Sequence, residues 1–252
     1  MSILFDDAAS QSLYRTSAVV NALPITMACW FRSDDDTIRQ GLVSLYVDAN
    51  NYYVLEARGD VAGDKIYALV NDTGGAVSAS MGPFGANTWN HGCAVFASTT
   101  NRQVYLDGVA GALSTTLKTP NTPTNTGIGR IVTTPYVSGR IAEVAIWNVA
   151  LSENEIMMLA KGIAPLRIRG QNLKGYWPLY TSDRLIDYSG NQNTMIAVNS
   201  PVTAEPPPVR TAFGFGYEWR GAISPRLYIT RAGYLGDLKL GHSILGNRGL
   251  SK

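Results

Sequence analysis

Carboxylates offer this 252-residue chain its most obvious chemistry, and the densest group is Asp34-Asp35-Asp36. Asp48, Asn50, Asp72, Asp107 and Asp183 stand in other polar stretches between apolar runs. Calcium takes several oxygen ligands at once, so Asp34, Asp36, Asp48 and Asp107 are the candidate metal ligands. The triple aspartate lacks the interleaved glycine and distal glutamate of an EF-hand loop, and neighbouring residues of extended chain point apart. Solvated turns explain the same residues, so no cofactor is expected and calcium is the alternative. His91 and His242 are the only histidines, too few for a histidine-rich zinc site and without a local Ser-His-Asp arrangement. Each reads as a satisfied or surface residue. Cys29 and Cys93 lie in apolar runs without metal-ligand company. They read as buried thiols, with a disulfide between neighbouring strands left open. Gly127 and Gly129 form a G-x-G far from any helix, which is a weak phosphate signal.

The elements that would position these side chains are nearly all strands. Residues 24–31, 42–47, 52–56, 65–70, 89–96 and 104–106 are apolar runs separated by turn chemistry at Asp48-Ala-Asn-Asn51, Asn71-Asp-Thr-Gly-Gly75 and Asp107-Gly108. Their recurrence at intervals of roughly ten residues predicts an antiparallel sandwich or barrel. Within residues 139–159 a buried strand of imperfect alternation, Ile141 to Trp147, hands over to a short helix. Ser152 and Glu155 form an S-x-x-E capping box at its start, Ile156, Leu159 and Met158 or Met157 face the body, and Gly162 and Pro165 end it. Trp30, Trp89, Trp147 and Trp177 fall at strand positions that suit a core role better than sugar stacking. Pro178 makes 173–180 an edge or closing strand.

Length permits a sizeable core. A net charge of +2 gives no case for nucleic-acid binding. That balance conceals a break, since residues 1–200 carry 14 basic and 16 acidic side chains and 201–252 carry 7 and 3. No basic start with a long apolar stretch predicts a secretory leader, and no run is long enough for membrane insertion. Glu205-Pro-Pro-Pro208 reads as a semi-rigid spacer. The predicted organisation is a domain over 1–200, a Pro-rich linker over 201–208 and a Gly-rich, aromatic and basic C-terminal docking arm over 209–252. Phe213, Phe215, Tyr217, Trp219, Arg220, Arg226, Tyr228 and Arg231 are its candidate partner-docking residues, because large aromatics and arginine concentrate binding energy.

The pieces Pro24-Ile-Thr-Met-Ala-Cys-Trp-Phe31, Trp89 to Phe96, Val104-Tyr-Leu-Asp-Gly108, Ile128-Gly129, Gly139 to Asn148, Leu151-Ser-x-x-Glu-Ile156 and Tyr176-Trp-Pro-Leu179 resemble, in order and spacing, laminin-G-like or concanavalin A-like jelly-roll domains. The resemblance implies an all-β fold, an antiparallel β-sandwich of the concanavalin A-like jelly-roll type, with one short helix and a C-terminal extension. Glycoside hydrolases of that superfamily place paired carboxylates on one strand face as E-x-D-x-x-E. Here Glu143 has no partner two residues away and Glu56 is followed by Ala57 and Arg58, so no enzyme activity is expected.

The sequence is also similar to versions of this domain built into tailed bacteriophages. That likeness implies a non-enzymatic virion structural protein, assembled in the host cytoplasm, that docks to capsid or tail proteins through its arm as a head decoration or baseplate component. A homo-oligomer is expected, since closed assemblies satisfy every interface. The alternative is a carbohydrate-binding adhesin, calcium-dependent or not, whose loops contact a cell-surface glycan.

Overall fold

A computed structural model describes residues 1–179 and 185–209, with two short paired strands at Phe215–Gly216 and Tyr228–Ile229. The chain divides into the units Met1–Val209 and Arg210–Lys252. The first unit is a sandwich of two antiparallel sheets, as the all-β reading requires.

The strands in chain order are β1 (Ser2–Phe5), β2 (Ser12–Arg15), β3 (Ile25–Ser33), β4 (Arg39–Asp48), β5 (Asn51–Arg58), β6 (Lys65–Asp72), β7 (Gly75–Met81) and β8 (Asn90–Ser98). They continue as β9 (Asn101–Leu106), β10 (Val109–Ser114), β11 (Asn125–Ile128), β12 (Gly139–Trp147), β13 (Leu173–Trp177), β14 (Ile196–Val198) and β15 (Val202–Ala204). One sheet has eight strands in the order β10-β9-β8-β3-β12-β1-β15, with β13 also paired to β12. The other has seven, in the order β14-β2-β11-β4-β5-β6-β7.

Alternation decides which side chains fill the space between the sheets. Ile25, Met27, Cys29 and Phe31 of β3 join Tyr53, Leu55 and Ala57 of β5 and Ile66, Ala68 and Val70 of β6 in that core. Gly92 of β8 marks a tight approach, since a Cβ there would lie 2.5 Å from Ile66 Cδ1.

The outer face of the eight-stranded sheet is buried as well. Ala28, Cys93, Val95, Tyr105, Ala145 and Trp147 pack beneath Leu151, Ile156, Leu159 and Ile168. The last group belongs to α1 (Glu153–Ala160) and its flanking loops; Met157 and Met158, one of which the sequence pattern puts on this face, are both exposed, because the short helix buries only the stripe of Ile156 and Leu159. Central strands buried on both faces lose the polar half of their alternation, which is why β3, β8 and β12 read as continuous apolar runs. Ser152 donates its amide (2.8 Å) and hydroxyl (2.9 Å) to Glu155, which fixes the start of α1. Trp147 donates its indole N–H to the Ile168 carbonyl at 2.8 Å, satisfying a fully buried polar group.

Register also answers the cysteine question. Cys29 is paired with Gly92 and Cys93 with Ala28, so the two thiols lie on opposite faces of one sheet, and both are free. The stretch 201–208, read above as a linker, supplies β15, which pairs with β1. Glu205 just beyond it bridges Arg32 at 2.5 Å and Arg140 at 3.2 Å.

Trp147→Ala would open a cavity under α1 and strand the Ile168 carbonyl. The expected loss is about 3–5 kcal/mol, read as a lower urea midpoint; an unchanged midpoint would show that the helical layer adds little to the sandwich.

Candidate functional site

The outer face of the seven-stranded sheet carries a different chemistry. Strand alternation turns Tyr52, Val54 and Glu56 of β5 outward, and Tyr67, Leu69 and Asn71 of β6 with them. Pairing then sets Tyr46 beside Tyr52, Val54 beside Leu69 and Glu56 beside Tyr67. Ile131, in the loop after β11, packs on Tyr46, Tyr52, Val54 and Leu69 and buries the middle of the face. Tyr14, Tyr67, Arg39, Arg58 and Arg130 remain partly open around it.

Two polar clusters flank that apolar middle. In the first, Glu56 is fully buried and lies 2.7 Å from Arg39 Nη2 and 3.6 Å from Arg58 Nη1. Burial pushes its carboxyl above the usual range, and the two guanidinium groups pull the other way. Arg58 also binds Asp60 at 2.7 Å and lies 5.5 Å from the centre of the Tyr67 ring. In the second cluster, the Arg130 guanidinium lies 4.8 Å from the Tyr14 ring centre and 5.8 Å from that of Tyr46, and donates to the Tyr46 hydroxyl at 2.8 Å.

Gly127 makes the second cluster fit. It stands in register between Tyr14 and Ser44, and a Cβ there would meet Ser44 Oγ at 2.6 Å and both Arg130 Cγ and Tyr46 Cε1 at 3.4 Å. Its bare backbone is the floor on which the arginine stem and the tyrosine ring lie. The G-x-G thus has a packing role, with Gly129 supplying a positive φ of 78°.

The four candidate calcium ligands are held by other partners or stand apart. Arg140 Nη1 contacts both oxygens of Asp34, at 2.8 and 2.7 Å. Asp48 accepts from the Asn50 amide at 2.8 Å and the Asn51 side chain at 3.1 Å, which draws its carboxyl below the usual range. Asp107 accepts from the His91 amide at 2.7 Å, and Asp36 sits in the loop between β3 and β4. Among the described residues no three His, Cys, Asp or Glu side chains gather where they could hold a metal ion. Of the docking-arm candidates, Phe215 and Tyr228 fall in the short strand pair, and Phe213, Tyr217, Trp219, Arg220, Arg226 and Arg231 lie outside the described residues.

The eight-stranded sheet holds a second polar feature beside α1. A cavity of about 10 Å³, room for roughly one water, is lined in part by Trp30, His91, Glu143 and Leu159. Glu143 occupies a bulge in β12 with φ of 53°, and its irregularity is the cause of that strand's imperfect alternation. Burial pushes its carboxyl up to about 7, against the hydrogen bond from Tyr176 at 2.6 Å and the nearby Met1 amine. His91 is buried rather than a surface residue, its Nδ1 has no hydrogen-bond partner among the described residues, and desolvation lowers its pKa to about 3.

Sequence reading missed the tyrosine face. A signal existed, because Tyr52 and Tyr67 take outward positions in strands whose inward positions are apolar, whereas attention fell on the acidic turns and the tail.

A laminin-G-type family model, described as the concanavalin A-like lectin/glucanases superfamily, matches residues 7–157, and the chain belongs to that superfamily. A search of curated proteins finds no sequence match. Among solved structures the chain is similar to a heptameric SAP-like pentraxin from Limulus polyphemus, with TM-score 0.58, 13% identity, and 80% of this chain and 92% of that chain covered. It is similar to a putative carbohydrate-binding protein from Bacteroides ovatus, with TM-score 0.54, 16% identity, and 80% and 61% covered. It also resembles domain 4 of an extracellular GH43 arabinanase from Geobacillus stearothermophilus in complex with arabinotriose, with TM-score 0.52, 16% identity, and 59% and 72% covered. At these identities the likeness is one of fold.

These findings correct the virion reading. The family is that of concanavalin A-like lectins and glucanases, the reported structures include a putative carbohydrate-binding protein and an arabinanase domain holding arabinotriose, and none of them is a phage structural protein. The role in a bacteriophage particle, the capsid and tail partners and the virion location are therefore withdrawn. The non-enzymatic reading accords with the family and with the likeness to domain 4 of the arabinanase.

The Glu143 bulge gives a pH test. Its folded pKa lies above the usual 4.5, so the native state holds the proton longer and the associated stability is lost as pH rises through about 7. Glu143→Gln should flatten that fall and be more stable than the parent protein at alkaline pH, by on the order of 3 kcal/mol. Parallel melting curves across the range would contradict it.

Proposed function

We propose that the protein is a non-catalytic carbohydrate-binding protein whose site is the outer face of the seven-stranded sheet. The observation that carries this reading is the placement of the partly open Tyr14 and Tyr67 with Arg39, Arg58 and Arg130 on one face of consecutive paired strands, around the Tyr46 and Tyr52 that Ile131 buries. Saccharides present apolar C–H faces and hydroxyl edges, and tyrosine meets both, with a flat ring for the first and a polar tip for the second. Guanidinium groups add fixed donors. The face is held by sheet pairing and by the Glu56 ion pairs before any ligand arrives, so little side-chain freedom remains to be lost on binding.

Its extent favours an oligosaccharide. From β2 to β6 the face crosses five strands, roughly 19 Å at about 4.8 Å per strand, and its middle is capped by Ile131. A chain of several sugar units can touch both polar clusters, whereas a monosaccharide reaches one. The fold relatives that bind arabinotriose or are described as carbohydrate-binding favour the same reading. Displayed toward a cell, such a face makes the protein an adhesin for surface glycan. Asp34, Asp48 and Asp107 already have hydrogen-bond or ion-pair partners, so this face binds without calcium.

Glycan-array screening followed by titration calorimetry tests the proposal. Binding to at least one oligosaccharide class is expected, with Tyr67→Ala weakening it tenfold or more (about 1.4 kcal/mol) and chelation of divalent cations leaving it unchanged. No binding to any glycan, or binding indifferent to Tyr67, would overturn the assignment. Loss of binding on chelation would move the site to the acidic turns.

A further inference from the structure

We infer that the face selects carboxylate-bearing saccharides, with Arg130 as the residue that reads the acid group; this deepens the proposed glycan-binding function and rests on it. The inference begins with charge. On this face Arg39 is paired with Glu56, and Arg58 with Glu56 and Asp60. Among the described residues, Arg130 has no carboxylate within ion-pair distance, so three guanidinium groups face two carboxylates and the surplus positive charge sits at Arg130.

Its hydrogen bonding is equally incomplete. The guanidinium makes one hydrogen bond among the described residues, from Nη2 to the Tyr46 hydroxyl, and its Nε is buried without an acceptor. A guanidinium carries five N–H donors, and only one of them is bonded to the Tyr46 hydroxyl, so donors of the partly open side chain remain for an incoming oxyanion. The arginine is also already placed. The Tyr14 and Tyr46 rings flank it, Gly127 provides space for its stem, and Ser44 Oγ donates to its carbonyl at 3.0 Å. A planar guanidinium fork matches a carboxylate, and prior ordering reduces the freedom lost when the pair forms.

The surroundings favour a sugar acid over a bare anion. The Tyr14 ring beside the guanidinium is only half-buried and can lie against the ring that bears the carboxylate. Uronates and sialates share this chemistry, an acid group fixed on a saccharide ring, and the same test separates them.

Calorimetry of the full chain with trigalacturonate, its methyl ester, a sialylated trisaccharide and the desialylated counterpart decides the matter. The expected result is that at least one free acid binds tenfold or more tightly than its neutral counterpart, that added salt reduces this advantage, and that Arg130→Gln weakens the free acid far more than its neutral counterpart, so that the ratio between them falls to about one. Whichever acid shows the advantage identifies the source. The ester comparison leaves the protein unaltered, so it stands even if the variant folds poorly. Equal affinity for acid and neutral forms, or a preference that survives Arg130→Gln, would overturn the acid preference while leaving glycan binding intact. Failure to bind these ligands or any member of a broad glycan array would overturn both readings.

Discussion

The arrangement depends on burying both faces of the eight-stranded sheet. Its inner face closes the sandwich, and its outer face lies beneath α1 and the segment to Ile168, with Trp147 hydrogen-bonded to that segment. Much of that sheet is therefore unavailable to an extended ligand. Among the described residues the seven-stranded sheet has no comparable helical layer, and its outer positions take tyrosine, serine and arginine where the other sheet takes alanine, valine and tryptophan. Among the described residues, the division of labour between the sheets follows from which one α1 covers.

The fold was legible because turn chemistry and period are local properties. Asp48 to Asn51, Asn71 to Gly75 and Asp107-Gly108 each join paired strands, and Ser152 with Glu155 starts the helix. The irregularity in β12 was visible as imperfect alternation, but its cause was not. A bulge at Glu143 is set by pairing with β3 on one side and with β1 and β13 on the other, which no local window contains. The same limit applied to the cysteines: strand membership was readable, whereas their opposite faces follow from the register of β3 against β8.

The candidate site was less legible for a physical reason. Its residues come from β2, β4, β5, β6 and the turn after β11, spread from Tyr14 to Arg130, and no two of its tyrosines from different strands announce their proximity in sequence. Compact clusters drew notice instead. Asp34-Asp35-Asp36 is dense in sequence yet divergent in space, with Asp34 turned to Arg140 and Asp35 capping Thr37 at 2.8 Å. Sequence density of charge is a poor guide on strands because adjacent side chains point to opposite faces. The phage likeness misled in another way, since it attached a biological setting to a fold that hosts many functions.

Net charge concealed the face for a related reason. A formal balance of +2 over the whole chain describes solubility and long-range steering, not the potential at one patch. At the Glu56 cluster the charges nearly cancel, and at Arg130 a cation is half-withdrawn from water without a neighbouring acid among the described residues. The Tyr14 and Tyr46 rings stabilise it there through their electron-rich faces, a contribution of about 0.5–2 kcal/mol depending on exposure. Such stacking offsets part of the desolvation without neutralising the charge, so the guanidinium keeps its attraction for an external anion. A carboxylate in the place of one tyrosine would hold the arginine as firmly and remove that attraction. On the proposed reading, what sets Arg130 apart from Arg39 and Arg58 on the same face is the lack of an acidic partner among the described residues, since Arg58 also lies against a ring, that of Tyr67, yet is held by Glu56 and Asp60.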